Sequence, residues 1–182
     1  MNWRLKVARF YIPPSLKKKG IEELFWLTAD AFGVESKFSQ NLCRLANLEQ
    51  YALFTKEEAE KVLASGFQVQ KVRDRLYQNA YSFGGSLRRK LRPSSPDDVM
   101  AAARLLYRLI QIDFKGSKRG EIVIEGCFFS RYYSPEVCGL ISALDEGILA
   151  GLSGGGDLRF IQRITEGKNC CRARIVYEEP SG

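Results

Sequence analysis

Apolar residues in the N-terminal half of the chain recur every three or four positions, which is the spacing of amphipathic helices. Thr55 and Glu58 form the pattern of a capping box, and Gly33 and Gly66 follow two of the apolar segments as stop signals. The pattern predicts helices over residues 15–33, 41–54, 55–66, 68–91 and 94–112. Residues 3–12 alternate loosely between polar and apolar and predict a short strand ahead of these helices.

The pair Gly84–Gly85 lies inside the predicted helix 68–91. Glycine weakens a helix because its backbone loses more entropy on folding than that of other residues. A glycine without a side chain also lets a second backbone approach closely. The sequence leaves both explanations open.

After residue 108 the helical spacing gives way to the alternation that is typical of strands. "LIQIDF" and "EIVIEGCFF" flank the turn sequence "KGSKRG" and predict one hairpin, and "DLRFIQRITEGKNCCRARIVYEE" predicts a second. Between them, "SPEVCGLISALDEGILAGLSGGG" predicts one helix that begins with Ser134 as its cap. A strand-strand-helix-strand-strand order behind a helical half is an α+β pattern.

We therefore predict one domain over residues 1–182, with a mainly helical part over 1–108 and a β-β-α-β-β module over 109–182. The two hairpins of the module are expected to form a small antiparallel sheet packed on helices. A chain of 182 residues, 45% of them hydrophobic, is long and apolar enough to bury one core. No apolar run reaches the roughly 20 residues of a transmembrane helix, and no signal peptide is recognisable, so a cytoplasmic location is expected.

Charge and histidine content narrow the classes of function. The formal net charge of +7 is compatible with acidic ligands or nucleic acid, but no nucleic-acid-binding motif accompanies it, so a nucleic-acid partner is not predicted. The chain has no histidine, which excludes Ser-His-Asp and Cys-His catalysis and histidine-based metal motifs. Any general base must be a carboxylate, a thiolate, Tyr or Lys.

The five cysteines are the main candidates for chemistry. An odd number without a secretory signal argues against a disulfide framework. Strand alternation predicts that Cys127 shares a face with Val123, that Cys171 points inward and that Cys170 points outward. Cys138 falls in the first turn of the predicted helix, where the positive end of the helix dipole would stabilise a thiolate.

A helix packed across the two hairpins would let Cys127, Cys138 and Cys171 meet at one end of the sheet. Three thiolates, together with Asp145, Cys170 or a water, would suit zinc or another thiophilic metal. Buried cysteines also commonly pack as small hydrophobic residues, and the spacing matches no standard metal knuckle. Both explanations stay open.

The segment from Cys127 to the C-terminus resembles the ligand-binding module of the four-vinyl-reductase domain family and of the related aminothiazoline carboxylate hydrolase-like family. The resemblance rests on "CFFSRYYSPEVC", "SALDEG" and "TEGKNCCRARI". It implies an α+β domain with a pocket between helices and a small sheet, which holds small, often apolar molecules beside cysteines that can bind metal. The positions that match the family pattern are Cys127, Cys138, Asp145 and Cys171. Lys168 stands where hydrolase-like relatives usually have an acid, and this departure weakens the case for hydrolysis.

Three functions follow. The first is a sensor or accessory domain that binds a small apolar or aromatic molecule, a metal, or both, and its ligand-binding residues would be Phe128, Phe129, Tyr132, Tyr133, Ile141 and Arg163. The second is a hydrolase with Cys138 as nucleophile and Asp145 as base, in which Arg131 or Arg163 orients a carboxylate. The third is a protein-interaction module that uses the basic run 88–92. The fold family also leaves a homodimer open.

Overall fold

The computed structural model describes residues 14–35 and 47–176. The predicted N-terminal strand, Cys43 and Tyr177 lie outside these residues. In the part of the chain that is described, no helix combines the length and the apolar character needed to cross a bilayer.

The N-terminal half is helical, as its periodicity predicts. Its four helices are α1 (Pro14–Phe32), α2 (Leu48–Ser65), α3 (Val69–Leu91) and α4 (Pro96–Leu109). Gly33 follows α1 and Gly66 caps α2, both with positive φ. Ser95 caps α4 through a hydrogen bond to the backbone N–H of Asp98.

The start that we predicted for the helix at Thr55 is wrong. Helix α2 begins seven residues earlier, where Asn47 and Gln50 form a reciprocal capping box. Thr55 lies buried inside this helix, and its hydroxyl donates to the backbone carbonyl of Tyr51. The buried face of α2 continues past Thr55 without interruption. The Thr55–Glu58 pair therefore lies inside the helix and has no free helix end to cap.

The four strands form one antiparallel sheet, and the α+β class is confirmed. They are β1 (Ile112–Gly116), β2 (Glu121–Cys127), β3 (Asp157–Gln162) and β4 (Cys171–Val176), in the spatial order β1-β2-β4-β3. The two hairpins therefore lie side by side, joined through β2 and β4. Alternate residues of β2 and β4, among them Ile122, Ile124, Ala173 and Ile175, are buried on the face that meets the helices.

The segment predicted as one helix consists of α5 (Pro135–Ile141) and α6 (Ala143–Ser153), which meet at Ser142. The Ser142 hydroxyl donates to the carbonyl of Gly139, an internal bond of the kind that bends helices. Helix α6 is buried on almost every side, since its residues between Ala143 and Leu152 are buried except for Asp145 and Glu146. It is the central helix of the domain.

Glycines allow α6 to touch α3 backbone to backbone. A Cβ atom on Gly84 would lie 2.3 Å from the carbonyl oxygen of Ile148, and one on Gly151 would lie 2.2 Å from that of Tyr81. Gly147 is equally close to the carbonyl oxygen of Tyr77, at 2.3 Å. Close approach is therefore the correct explanation of Gly84.

Two arginines of α3 hold the α5–α6 segment in place. Arg73 forms a bidentate pair with the Glu146 carboxylate, at 2.8 and 2.6 Å, and donates to the Gly139 carbonyl at 2.9 Å. Arg88 donates to the carbonyls of Leu152 and Ser153 at the C-terminal end of α6, each at 2.9 Å. Arg88 thus satisfies carbonyl groups that the helix itself leaves unpaired.

Candidate functional site

A cavity of about 80 Å³ lies in the middle of the domain, between the helices and the sheet. Helix α6 and the end of α5 form one side, α1, α2 and α4 form another, and the start of β1 with the end of β2 closes it. Its walls are almost entirely aliphatic and aromatic. The lining residues are Leu24, Tyr51, Leu106, Tyr107, Ile110, Ile112, Cys127, Phe129, Tyr133, Cys138, Ile141, Ser142, Leu144, Asp145 and Ile148.

Asp145 is the one aspartate or glutamate among these lining residues. It lies in the first turn of α6, and its Oδ1 accepts a hydrogen bond of 2.7 Å from the Tyr107 hydroxyl on α4. Burial raises the pKa of Asp145 from 3.8 to about 6, against the opposing effect of the Tyr107 hydrogen bond. The side chain keeps some accessible surface because it faces the cavity.

Three tyrosines present their rings to the cavity and anchor their hydroxyls on neighbouring elements. Tyr51 bonds to the Thr28 hydroxyl at 3.0 Å, and the Tyr133 hydroxyl bonds to Thr55. Burial raises the pKa of each tyrosine, so all three hydroxyls are uncharged at neutral pH. Phe129 joins them, with its ring stacked 5.5 Å from that of Tyr133 and edge-on 5.9 Å from that of Tyr51.

Cys127 faces the cavity because of an irregularity in the sheet. Ile112 pairs with Cys127 while Phe114 pairs with Ile124, so β2 carries one extra residue between these pairs. Such a bulge turns the following residue to the opposite face. Cys127 therefore lies on the inner side, and our prediction that it shares a face with Val123 is wrong. Burial raises the pKa of the Cys127 thiol to about 12.

Cys138 also lines the cavity, in the first turn and a half of α5. We predicted that the helix dipole would stabilise its thiolate. Instead burial raises the pKa of the thiol, the Asp145 charge adds to this, and the charge of Arg163 opposes it. The loss of solvation is the largest of these effects.

The remaining two cysteines of the C-terminal module do not line the cavity. Cys171 is buried on the inner face of β4, as predicted, and its sulfur accepts the Ile164 backbone N–H at 3.3 Å. Cys170 is half-buried, and its sulfur lies 3.6 Å from the Gln162 amide nitrogen.

No group of three or more Cys, Asp or Glu side chains in residues 14–35 and 47–176 is arranged to hold a metal ion. This donor set does not fit a four-ligand zinc site, and we derive no metal chemistry from it. Zinc binding stays a prediction of the sequence.

The predicted ligand-binding residues separate into two groups. Phe129, Tyr133 and Ile141 line the central cavity. Phe128 instead lines a shallow open groove on the other side of Cys127, and Tyr132 packs against its ring at 5.4 Å.

Arg163 lies outside the cavity. Its guanidinium stacks over the Phe160 ring at 4.4 Å and donates to Ser142 at 3.2 Å and to Glu166 at 3.4 Å.

The N-terminal helices supply cavity residues that the sequence reasoning missed, among them Leu24, Tyr51 and Tyr107. Among these residues, Tyr107 is the one whose role the sequence indicates most clearly. It occupies an apolar position of α4, and a buried tyrosine needs a partner for its hydroxyl. The sequence does not say which partner, because Asp145 is 38 residues away.

We expect both cavity thiols to react slowly with iodoacetamide at pH 7.4, at least tenfold slower in the native protein than in the protein unfolded in urea. Burial limits access to the sulfur atoms, and their raised pKa values leave little of the reactive thiolate. Peptide mass spectrometry would give the rate for Cys127 and Cys138 separately. Alkylation of native Cys138 at the rate of the unfolded protein would instead support its role as a nucleophile.

No family model matches the chain, and no curated protein matches its sequence.

Proposed function

We propose that the protein binds a small, mainly apolar organic molecule in its central cavity. The observation that carries this proposal is an apolar-walled cavity in the core with one largely buried carboxyl group at its wall. Ligand pockets typically combine apolar walls with a few polar groups that fix the orientation of the ligand. Here Asp145 and Tyr107 would contact the polar group of the ligand, and the tyrosine and phenylalanine rings its apolar body.

The volume of the cavity, about 80 Å³, sets the size of the ligand. The volume is smaller than the roughly 150 Å³ of an engineered core cavity that binds benzene, so a short branched chain or a small polar ring is a suitable size.

The hydrolase and the interaction module have less support. A nucleophilic cysteine needs a lowered thiol pKa, and burial raises that of Cys138. In the basic run 88–92, Arg88 is already bound to two carbonyls of α6. The resemblance to ligand-binding modules, in contrast, agrees with the use of the cavity as a binding site.

Binding can be tested with isobutanol, followed by NMR of the methyl groups in Leu24, Ile141, Leu144 and Ile148. We expect saturable shifts that are confined to cavity residues, and a phenylalanine at Ile148 should abolish them by filling the space. Ile161 offers a matched control, since it is 72% exposed on β3 and Ile161→Phe should bind like the unmodified protein. Ile141→Phe serves as a second filling variant if Ile148→Phe does not fold. Absence of cavity shifts with both isobutanol and isobutylamine would refute the proposal.

A further inference from the structure

Among the described residues that line the cavity, one carboxylate supplies the charge. Asp145 is the only described cavity-lining residue that carries a full charge at neutral pH, because the lining tyrosines and cysteines have raised pKa values. Ser142 completes the polar lining and is neutral. Above the pKa of Asp145 the cavity therefore contains a negative charge within apolar walls.

No described cation pairs with this carboxylate. Arg163 acts on Asp145 only through the electrostatic field of its charge. The Arg163 guanidinium is bound to Ser142 and Glu166. Arg73, the other arginine near the start of α6, is held by the Glu146 carboxylate and the Gly139 carbonyl. The hydrogen bond from Tyr107 to Oδ1 leaves the other oxygen of Asp145 able to accept from a ligand.

The aromatic rings around the cavity provide a second feature that suits a cation. Tyr51, Tyr133 and Phe129 contribute side chains to the lining, and an aromatic ring attracts an ammonium group that lies over its face within about 6 Å. A negatively charged ligand would meet the Asp145 charge unfavourably.

On the basis of the proposed function, we infer that the ligand is a small aliphatic or cyclic amine bound as its ammonium ion, which pairs with the free oxygen of Asp145 while its apolar part fills the cavity. A carboxylate between apolar walls without a cation beside it is costly, and a ligand ammonium would supply that cation by a charge-assisted hydrogen bond. The alternatives are a neutral ligand, which would accept from a protonated Asp145, and an anion, which would be repelled.

The test compares three molecules of nearly equal shape: isobutylamine, isobutanol and isobutyrate. At pH 8.0 we expect isobutylamine to bind at least tenfold more tightly than isobutanol, and isobutyrate not to bind, in isothermal titration calorimetry and methyl NMR. Asp145→Asn should reduce isobutylamine binding to the level of isobutanol, and isobutanol should still shift the cavity methyl groups of this variant, which shows that the cavity is intact. Tyr107→Phe removes one neighbour of Asp145 and should retain the preference for the amine.

The pH dependence follows from the groups around Asp145. Tyr107 and the thiols of Cys127 and Cys138 stay neutral from pH 5 to 8, and the charged neighbours are Glu146 and Arg163. Protonation of Asp145 removes the partner of the ammonium, so amine affinity should fall when the pH is lowered from 8.0 to 5.0. Asp145→Asn should abolish this fall, which assigns it to Asp145 rather than to Glu146.

Each outcome decides a separate question. Isobutanol binding as tight as that of isobutylamine, or amine binding that Asp145→Asn leaves intact, would overturn the amine inference and leave the proposed function standing. Binding of isobutyrate in preference to both would overturn the inference as well. Failure of all three molecules to shift cavity methyl groups would overturn the inference together with the proposed function.

Discussion

Gly151→Ala is expected to lower the free energy of unfolding by at least about 2 kcal/mol, although alanine is the better helix former. The new Cβ would lie 2.2 Å from the Tyr81 carbonyl oxygen and 2.7 Å from the Gly85 nitrogen. These neighbours are backbone atoms of α3, so a rotamer change cannot relieve the overlap. The two helices would have to separate, and α6 would lose packing along its length.

Gly147→Ala and Gly84→Ala should act in the same direction, because a Cβ at either position would meet a backbone carbonyl oxygen at 2.3 Å. Gly139→Ala is the matched control. Gly139 also lies in a helix, and nothing lies within 4 Å of its added Cβ.

The control variant should be neutral, or more stable by up to about 1 kcal/mol through higher helix propensity. Urea unfolding followed by circular dichroism would measure the four variants and the unmodified protein. Equal stability of Gly151→Ala and Gly139→Ala would show that the α3–α6 contact is not close-packed.

The glycines of α6 show where sequence reasoning stops. Gly147 and Gly151 are four residues apart and therefore share one face of a helix, which is visible in the sequence. Gly84 lies some sixty residues earlier, and only the packing of α3 on α6 shows that these glycines belong to one contact. Local pattern predicts an element and its faces, but it does not name the partner of a face.

The α+β class and the paired hairpins could be predicted because helical and strand periodicities are local properties of the sequence. The errors arose where one extra hydrogen bond or residue changes a regular pattern. Asn47 caps α2 ahead of a threonine that appeared to begin it, and Ser142 bends a helix that appeared continuous. The bulge in β2 reverses the direction of Cys127.

The cavity was only half predictable for a related reason. Phe129, Tyr133, Cys138 and Asp145 lie within seventeen residues of one another, so a motif in that segment could indicate them together. Tyr107 and the other N-terminal lining residues come from helices whose apolar faces are typical of any core. Their role depends on tertiary packing, which the periodicity of a single helix does not contain.

The second large effect is expected from Asp145→Asn, which should raise stability at pH 8 and flatten its pH dependence. The folded protein holds the Asp145 proton more tightly than the unfolded chain does, since the pKa is about 6 in the fold against an ordinary 3.8. Protonation therefore favours folding, and the stability of the unmodified protein should decrease as the pH rises from about 4 and level off above about 6.

A pKa difference of about two units corresponds to at most about 3 kcal/mol of stability, and access of solvent to the cavity reduces this to about 1–2 kcal/mol.

Asparagine at position 145 retains an oxygen that can accept from Tyr107 and carries no charge to bury. The gain in stability of Asp145→Asn over the unmodified protein should therefore appear at pH 8 and vanish near pH 4. Asp113→Asn, at an exposed position of β1, should leave the pH profile unchanged. Urea unfolding at pH 4, 5, 6 and 8 measures these differences. Lower stability of Asp145→Asn at pH 8 would mean that the folded protein already neutralises the carboxylate, which would remove the reason for a cationic ligand.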